Sequence, residues 1–500
     1  MTSWLTTAAT IVAAAATIPL LVAAYQVVLV LVHKHVYLRH LRGRDNLEEA
    51  TNLNVTILIP AWNEADVLHA SVQRLCNLAY PQDKLRVCVV DDASTDHTSD
   101  IMSELIDTYG ERVSCVRREH GGQGKAHTLN AGLDVILNDN WTAAVLITDA
   151  DVLFTDNSIT KMVRHFADPT VGAVTAYIKE GSQPGTWMTN SIQYEYASAQ
   201  ACARRGYNVI GTHACLAGGA QLHTVTNLRD LGGHIDTTTL AEDTVTTFNT
   251  QLAGRRVIFE PNALVYAEEP NSIRSLWGQR LRWARGNLQV TGKYLTVLAN
   301  PLRSRLGNPA FTVTWFAVLA QPFLMIAATC ALLYLSIVTG TTASALFRYL
   351  WTTAFVVYLM VLAGVCAVDT ATFKRTWKQG VAYPGAINLA LMAIAIHPSF
   401  AARIADTSHT GGAHAGTGMW FTWFAYTWLA VSMAVAWLAK VVETPTGIRH
   451  WLSRVLLFLA GYGPLLCAVG IAAAAKQARR ADNSWTKTEK TGRVQLGASS

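Results

Sequence analysis

Residues 143–151 read AAVLITDAD, and the fold follows from how that stretch is taken. Residues 143–148 form a short apolar run that ends in Thr148, and Asp149 and Asp151 stand directly after it. Two similar runs precede it, NVTILIP at 54–60 and RVCVVD at 86–91. Stretches of helical length, 65–76, 96–109 and 125–137, lie between or beside these runs. Continuous apolar strands separated by helices predict a parallel sheet covered on both faces. Ligands of such sheets bind beyond the carboxyl ends of the strands. Acids occupy two of those ends: Asp91 and Asp92 after one run, Asp149 and Asp151 after another. Two strand ends with paired carboxylates read as a site.

The residues near these acids carry the chemistry. A lone D-x-D is a common solvated turn, but Asp149 and Asp151 directly follow a buried strand and are matched by the DDASTD run, Asp91 to Asp96. Carboxylates two apart on a leaving strand point to one side and suit a hard divalent cation, Mg²⁺ or Mn²⁺, that bridges phosphates. Residues 121–125, GGQGK, open the next helix. A glycine-rich turn at a helix N-terminus with one lysine suits phosphate, although the spacing is not that of an ATPase P-loop. Glu242 and Asp243 form a second acidic pair, read either as helix N-terminal acids or as a general base acting on a hydroxyl. In residues 273–295, Trp277, Leu281, Ala284 and Leu288 follow helical spacing, while Gln279, Arg282 and Trp283 share one face. This is a basic amphipathic helix suited to a membrane surface, and its arginine is suited to a diphosphate.

Composition adds a membrane. Charged residues are 15% of the 500-residue chain and hydrophobic residues 51%, against about 25% charged in ordinary soluble proteins. Disordered, collagenous and disulfide-scaffold classes are excluded. The net charge of +6 is too small over this length to imply nucleic acid. Cys76, Cys88, Cys115, Cys202, Cys215, Cys330, Cys366 and Cys467 form no C-x-x-C pair and read as buried small hydrophobes in a reduced compartment.

Residues 4–32 carry no charge and exceed the roughly 20 residues a bilayer core requires. With no basic n-region they do not read as a cleaved signal. His33, Lys34, Arg39, Arg42 and Arg44 follow and predict a cytosolic side for what comes next. Spans are expected again at 310–340, 349–368, 419–439 and 451–475. The short apolar segment 381–404 carries Pro384, Asn388 and His397 and has basic flanks, so it reads as interfacial or re-entrant. Lys476, Arg479, Arg480, Lys487, Lys490 and Arg493 predict a cytosolic tail, which leaves Arg348, Lys440 and Arg449 outside. The expected division is residues 1–45, a membrane helix with its basic flank; 46–300, a cytosolic domain ending in the amphipathic helix; 301–476, a membrane domain of about four spans; and 477–500, a tail.

PAWNEADVL (60–68), VVDDASTD (89–96), GKAHTLNAGL (124–133), DAD (149–151), AED (241–243) and QRLRW (279–283) occur in that order. Together they resemble membrane-integrated, processive, inverting glycosyltransferases, the group of cellulose, chitin, hyaluronan and poly-N-acetylglucosamine synthases. QRLRW is a full match to the group's Q-x-x-R-W motif. The tail at 485–492, WTKTEKTG, also looks like bacterial polymer-synthase relatives. The resemblance implies an α/β GT-A fold, Rossmann-like with a mostly parallel sheet, joined to a multi-span helical membrane domain with interfacial helices. It implies that Asp91 and Asp92 hold a nucleotide's base and ribose and that Lys125 contacts the diphosphate. Asp149 and Asp151 would hold diphosphate and Mg²⁺ or Mn²⁺, and Asp243, beside Glu242, would be the base. Gln279, Arg282 and Trp283 would grip the diphosphate and acceptor. Two departures stand out: Ala241 where the group carries Thr, and GGAQLH at 218–223, where relatives often place an arginine.

The implied partners are a UDP-sugar donor, a growing glycan or lipid acceptor and membrane lipids, with no nucleic acid. An accessory export subunit and a homo-oligomer are left open. The implied location is the cell membrane, multi-pass, with the catalytic domain cytosolic. The expected reaction extends a β-linked polysaccharide, N-acetylglucosamine-containing on the evidence of the tail, and passes it across the membrane. The alternative is transfer of one sugar to a lipid, with the spans as anchor. A transporter or a nucleotide-sugar sensor is disfavoured, because the spans carry almost no charge and the D-x-D, E-D and Q-x-x-R-W set is intact.

Overall fold

The computed structural model describes residues 2–42, 52–300, 304–397, 415–481 and 494. Arg44, residues 398–404 of the expected interfacial piece, and Lys487, Lys490, Arg493 and the 485–492 stretch of the tail lie outside the described residues. The chain forms two compact units: residues 29–271, 286–312 and 482–500 in one, and residues 1–28, 272–285 and 313–481 in the other.

The first unit is built on an eight-stranded sheet. Its strands are β1 (Val55–Ala61), β2 (Leu85–Asp91), β3 (Val113–Arg117), β4 (Ala144–Ile147), β5 (Leu153–Phe154), β6 (Val171–Glu180), β7 (Gln221–Thr224) and β8 (Arg256–Ala267). They are ordered β3-β2-β1-β4-β7-β6-β8-β5. The three runs read from the sequence are β1, β2 and β4, and they pair in parallel, with β3 at the edge. The other half is not uniformly parallel. β7 runs antiparallel to both β4 and β6, and β5 antiparallel to β8, while β6 and β8 are parallel. The sheet is thus mixed, a GT-A-like arrangement with its parallel strands concentrated in the N-terminal half.

Alternation along β1 explains why its residues, Thr56 excepted, are apolar. Val55, Ile57 and Ile59 pack with Leu68, Val72 and Leu75 on one face. Leu58 packs on the other with Val90, Val145 and the helix Lys125–Asn138, through Ala126, Leu129, Leu133 and Ile136. Each such side chain contributes about 1.5–3 kcal/mol when fully buried. Gly132 lets that helix approach closely, since a Cβ there would sit 2.4 Å from Leu58 Cδ1. A buried network also ties Tyr37 to this unit: Glu260 accepts hydrogen bonds from Tyr37, Arg164 and His165 at 2.6–2.8 Å.

The second unit is helical. Among the described residues, four helical stretches are long and apolar enough to cross a membrane: Ser3–His33, Pro309–Val338, Gly340–Val368 and Trp420–Val442. Two bent pairs would raise the number to six if each counts as one span: Thr370–Ala382 with Ala386–Ile396, at 76°, and Ile448–Ala460 with Tyr462–Ala478, at 96°. The expected continuous span at 451–475 is therefore broken, at Gly461, whose φ is 102°. The two breaks meet backbone to backbone. A Cβ on Gly461 would lie 2.1 Å from the Pro384 carbonyl oxygen, and one on Gly385 would lie 2.4 Å from the Ala460 carbonyl carbon. Tyr462 N–H donates to the Tyr383 carbonyl at 2.9 Å, and Asn388 Nδ2 donates to the Pro384 and Ala460 carbonyls at 2.5 and 3.2 Å.

The Lys440 ammonium lies 5.5 Å from the Trp277 ring, at the start of the helix Ile273–Leu298. Residues 443 and 481 both bond to that helix, at its first turn and at Arg285. Within the helix the buried positions include Ile273, Leu276, Trp277 and Arg280 near its start and Arg285, Val290, Tyr294 and Leu298 further on, whereas Leu281, Ala284 and Leu288 are only half-buried, so the apolar stripe is rotated from the one expected. Among the cysteines, Cys330 is exposed rather than buried, and all eight are free thiols.

Candidate active site

In the sheet unit the acids at the strand ends fall into two groups. The first surrounds the end of β2. Asp91 is fully buried, pairs with Arg117 at 2.9 Å and accepts Ser94 N–H at 2.9 Å. Asp92 pairs with Arg118 and accepts Gly122 N–H at 2.9 Å. Gly121 presses on the Asp92 carbonyl, where a Cβ would come within 2.0 Å of the oxygen. The glycine-rich turn is therefore a wall of this loop. Asn63 and Ala93, with φ of 54° and 56°, hold left-handed conformations that non-glycine residues rarely adopt. They are secured by Asn63 N–H donating to Ser94 Oγ and Thr95 N–H donating to Asn63 Oδ1, both at 2.8 Å. Asp96 accepts from Thr98 and Ala65. Burial would raise its pKa, but these hydrogen bonds outweigh it and hold the carboxyl below the usual range.

The second group surrounds residues 217–220. Lys125, first residue of its helix, donates to Asp149 and, at 3.0 Å, to the Gly218 carbonyl. A Cβ on Gly218 would lie 3.2 Å from Asp243 Oδ2 and 3.7 Å from Lys125 Nζ, and one on Gly219 would lie 3.3 Å from Asp149 Oδ2. Asp149, Lys125 and Asp243 thus converge on two adjacent glycines. Burial alone would lower the Lys125 pKa, but the charges of Asp149, Glu242 and Asp243 reverse that and raise it. Thr148 Oγ donates to the Gly219 carbonyl at 2.9 Å. Thr175 Oγ donates to the Ala220 carbonyl and accepts from Ala217 N–H, both at 2.9 Å. Thr148, just past β4, and Thr175 of β6 therefore fix the loop.

Glu242 and Asp243 open the helix Glu242–Leu252, where acids meet the positive end of the helix dipole. Thr247 Oγ donates to the Asp243 carbonyl at 2.6 Å and accepts Leu216 N–H at 2.8 Å. Burial, with the charge of Asp243 beside it, pushes the Cys215 thiol well above its usual pKa. Ala241 sits against Gly286, where a Cβ would lie 2.7 Å from its own, and Leu240 N–H donates to Gln289 Oε1 at 2.9 Å. A threonine at 241 would add two atoms to a contact that already requires glycine opposite.

Asp151 stands apart from the strand geometry expected of it. The chain turns after β4, with Val152 N–H bonding back to the Asp149 carbonyl at 3.2 Å, so the alternation of a leaving strand does not govern Asp149 and Asp151. Asp149 is partly exposed, whereas Asp151 is buried and accepts Glu268 N–H at 3.4 Å. Among the described residues no three His, Cys, Asp or Glu side chains gather into a metal-sized group. A pair of carboxylates that leaves other positions to substrate phosphates and water is nevertheless the donor set Mg²⁺ ordinarily takes.

Gln279, Arg282 and Trp283 belong to the other unit and are half-buried there. Arg280, passed over in the sequence reading, is buried, bonds to Gln279 Oε1 and lies 4.1 Å from the Trp283 ring. Arg117 and Arg118 were passed over too. Arg117 ends the edge strand β3 and Arg118 follows it, and both look like surface charge until the β2 acids are seen against them.

Residues 52–286 match the family model described as "Glycosyltransferase like family 2". The chain is 30% identical over 272 residues to a probable glycosyltransferase, YdaM, of Bacillus subtilis (strain 168), covering 53% of this chain and 62% of that one. It is 27% identical over 255 residues to a poly-beta-1,6-N-acetyl-D-glucosamine synthase of Staphylococcus aureus (strain MSSA476), covering 49% and 59%. The chain therefore spans less than two thirds of the length of these curated relatives. Among solved structures, a mannosyltransferase from Pyrobaculum calidifontis in complex with GDP-Man and Mn2+ superposes with a TM-score of 0.47 at 21% identity, over 75% of this chain and 98% of that one.

Proposed function

We propose, from the premise that residues 52–286 are a glycosyltransferase family 2 domain and so belong to a sugar-transferring enzyme, that this chain is a membrane-bound inverting glycosyltransferase. It uses a UDP-sugar to extend a β-linked polysaccharide containing N-acetylglucosamine and passes the product across the membrane. The observation that carries the reading is the convergence of Lys125, Asp149 and Asp243 on Gly218 and Gly219. The relative named as a poly-beta-1,6-N-acetyl-D-glucosamine synthase supports the choice of polymer.

Asp243 takes the proton from an acceptor hydroxyl, and that oxygen attacks the anomeric carbon from the face opposite the diphosphate. One carbon–oxygen bond forms as the bond to the diphosphate breaks, and UDP leaves with the bonding electrons. An α-donor therefore gives a β-linkage. Lys125 places positive charge beside Asp149 where the diphosphate develops its charge, and the likeness to the Q-x-x-R-W motif gives Arg282 a diphosphate-binding task as well. Asp92 and its loop hold the nucleoside. Asp149 and Asp151 would hold Mg²⁺ or Mn²⁺, which supplies further charge neutralisation on the diphosphate when bound.

The test offers labelled UDP-sugars singly to membranes containing the full chain, with Mg²⁺, Mn²⁺ or EDTA, and sizes the product. A ladder or insoluble polymer from UDP-N-acetylglucosamine is expected. A single glycolipid would overturn the polymer reading, and no turnover of any UDP-sugar would overturn the donor.

A further inference from the structure

The helical unit grips its own part of the helix Ile273–Leu298 at two places, once through residues 440–443 and once through Ala481. The first is Glu443, which follows the helix Ala415–Val442. Its Oε1 accepts Ile273 N–H at 2.9 Å and its Oε2 accepts Arg274 N–H at 2.8 Å, from a position 170 residues away in the chain. Arg274 Nη2 returns a bond to the Glu443 carbonyl at 3.3 Å. One turn further on, Lys440 lies over the Trp277 ring. The second grip is Arg285, buried, whose Nη2 donates to the Ala481 carbonyl at 2.6 Å.

The first N–H groups of a helix have no acceptor within it, and a carboxylate there also meets the positive end of the dipole. A local cap already exists, since Ser272 Oγ accepts Ser275 N–H at 3.1 Å. Glu443 is therefore not required merely to start the helix. A bidentate carboxylate on two successive amides fixes what a single local cap leaves free, namely the helix's rotation and its place along its axis relative to residues 440–443. Gln279, Arg282 and Trp283 lie between the two grips.

We propose that Glu443 is a positioning residue for the transfer reaction: it sets the register of the helix that carries Gln279, Arg282 and Trp283. This rests on the donor reading given above. Glu443 touches no substrate and acts through the helix it holds.

The experiment compares full-length wild type, Glu443→Gln and Glu443→Ala in lipid nanodiscs. It measures hydrogen exchange of the 272–285 peptide, UDP affinity by calorimetry, and thermal melting. For Glu443→Ala, exchange at the first-turn amides should quicken about fivefold, the equivalent of one lost cap, and UDP should bind about five- to tenfold more weakly. Glu443→Gln keeps one acceptor oxygen and should fall between; it carries the test if the alanine variant does not fold. Faster exchange with wild-type UDP affinity would make Glu443 a cap and nothing more, and would overturn the proposal. So would wild-type values in both assays. Wild-type protein that binds no UDP would instead remove the donor reading, and this proposal with it, a failure told apart because it appears in the unaltered chain.

Discussion

Replacing Gly218 by alanine tests the arrangement at its narrowest point. The backbone there is not left-handed, so alanine costs no conformational strain of its own. The new methyl would stand 3.2 Å from Asp243 Oδ2 and 3.7 Å from Lys125 Nζ. Non-bonded heavy atoms settle at about 3.5–4.0 Å, so the carboxylate must yield by roughly 0.3 Å while the ammonium stays. A 1 Å misplacement at a reacting centre costs about 100-fold, and on that scale 0.3 Å costs about fourfold in kcat. Gly218→Val adds two more methyls on the same side and should cost about 100-fold. The assay is transfer from labelled UDP-N-acetylglucosamine by full-length protein in membranes, with donor KM, expression level and melting followed in parallel. KM should move less than kcat, because Lys125 keeps its contact with Asp149. A folded Gly218→Val protein with kcat within twofold of wild type would refute the reasoning, since Asp243 could not then be the base that borders this glycine.

Asp243→Asn keeps the shape and removes the proton acceptor; turnover should fall by about 10²–10⁴-fold, read in the same transfer assay, with Thr244 N–H still bonded to the side-chain oxygen. Glu260 offers a pH test of folding. Burial would raise its pKa, but His165 and Arg164 outweigh it and bring it from 4.5 to about 2. A depressed carboxylate contributes stability above its unfolded value, so the Tyr37–Glu260 network should weaken as pH falls from 4.5 towards 2. Melting curves should show that loss in wild type and not in Glu260→Gln. Gly132→Ala places a methyl 2.4 Å from Leu58 Cδ1 and 2.8 Å from Val90 Cγ2, which should cost about 1–3 kcal/mol of stability by overpacking. Gly292→Ala, with nothing within 4 Å, should leave the melt unchanged or raise it by an amount worth about 0.5–1 kcal/mol.

The first half of the sheet was legible because β1, β2 and β4 are each covered on two faces and therefore mostly apolar, with Thr56 and Arg86 the polar exceptions ahead of the strand ends. The second half was not. β8 carries Glu260 and Asn262 within it, and its pairing with β6 shifts register between Ala176 and Tyr177, so no clean period marks either strand. The glycines at 218 and 219 looked like a missing acceptor feature; their function as close neighbours of Asp149 and Asp243 depends on contacts across the sheet that spacing does not report. Composition identified 451–475 as apolar, but hydropathy cannot register a bend. The sign was the sequence Gly461-Tyr462-Gly463-Pro464, four residues that combine freedom of φ with a missing N–H. Glu443 was invisible for a different reason: the amides it serves lie in another part of the chain.

The meeting of Gly385 and Gly461 bears on how the protein is made. The Tyr383 carbonyl bonds to the Tyr462 and Gly463 amides, and a ribosome delivers the carbonyl long before it delivers the amides. Until then the Tyr383 carbonyl lacks those two donors, and in a hydrocarbon core an oxygen left so would have no water to solvate it. A chain terminated ahead of residue 461 could never supply them.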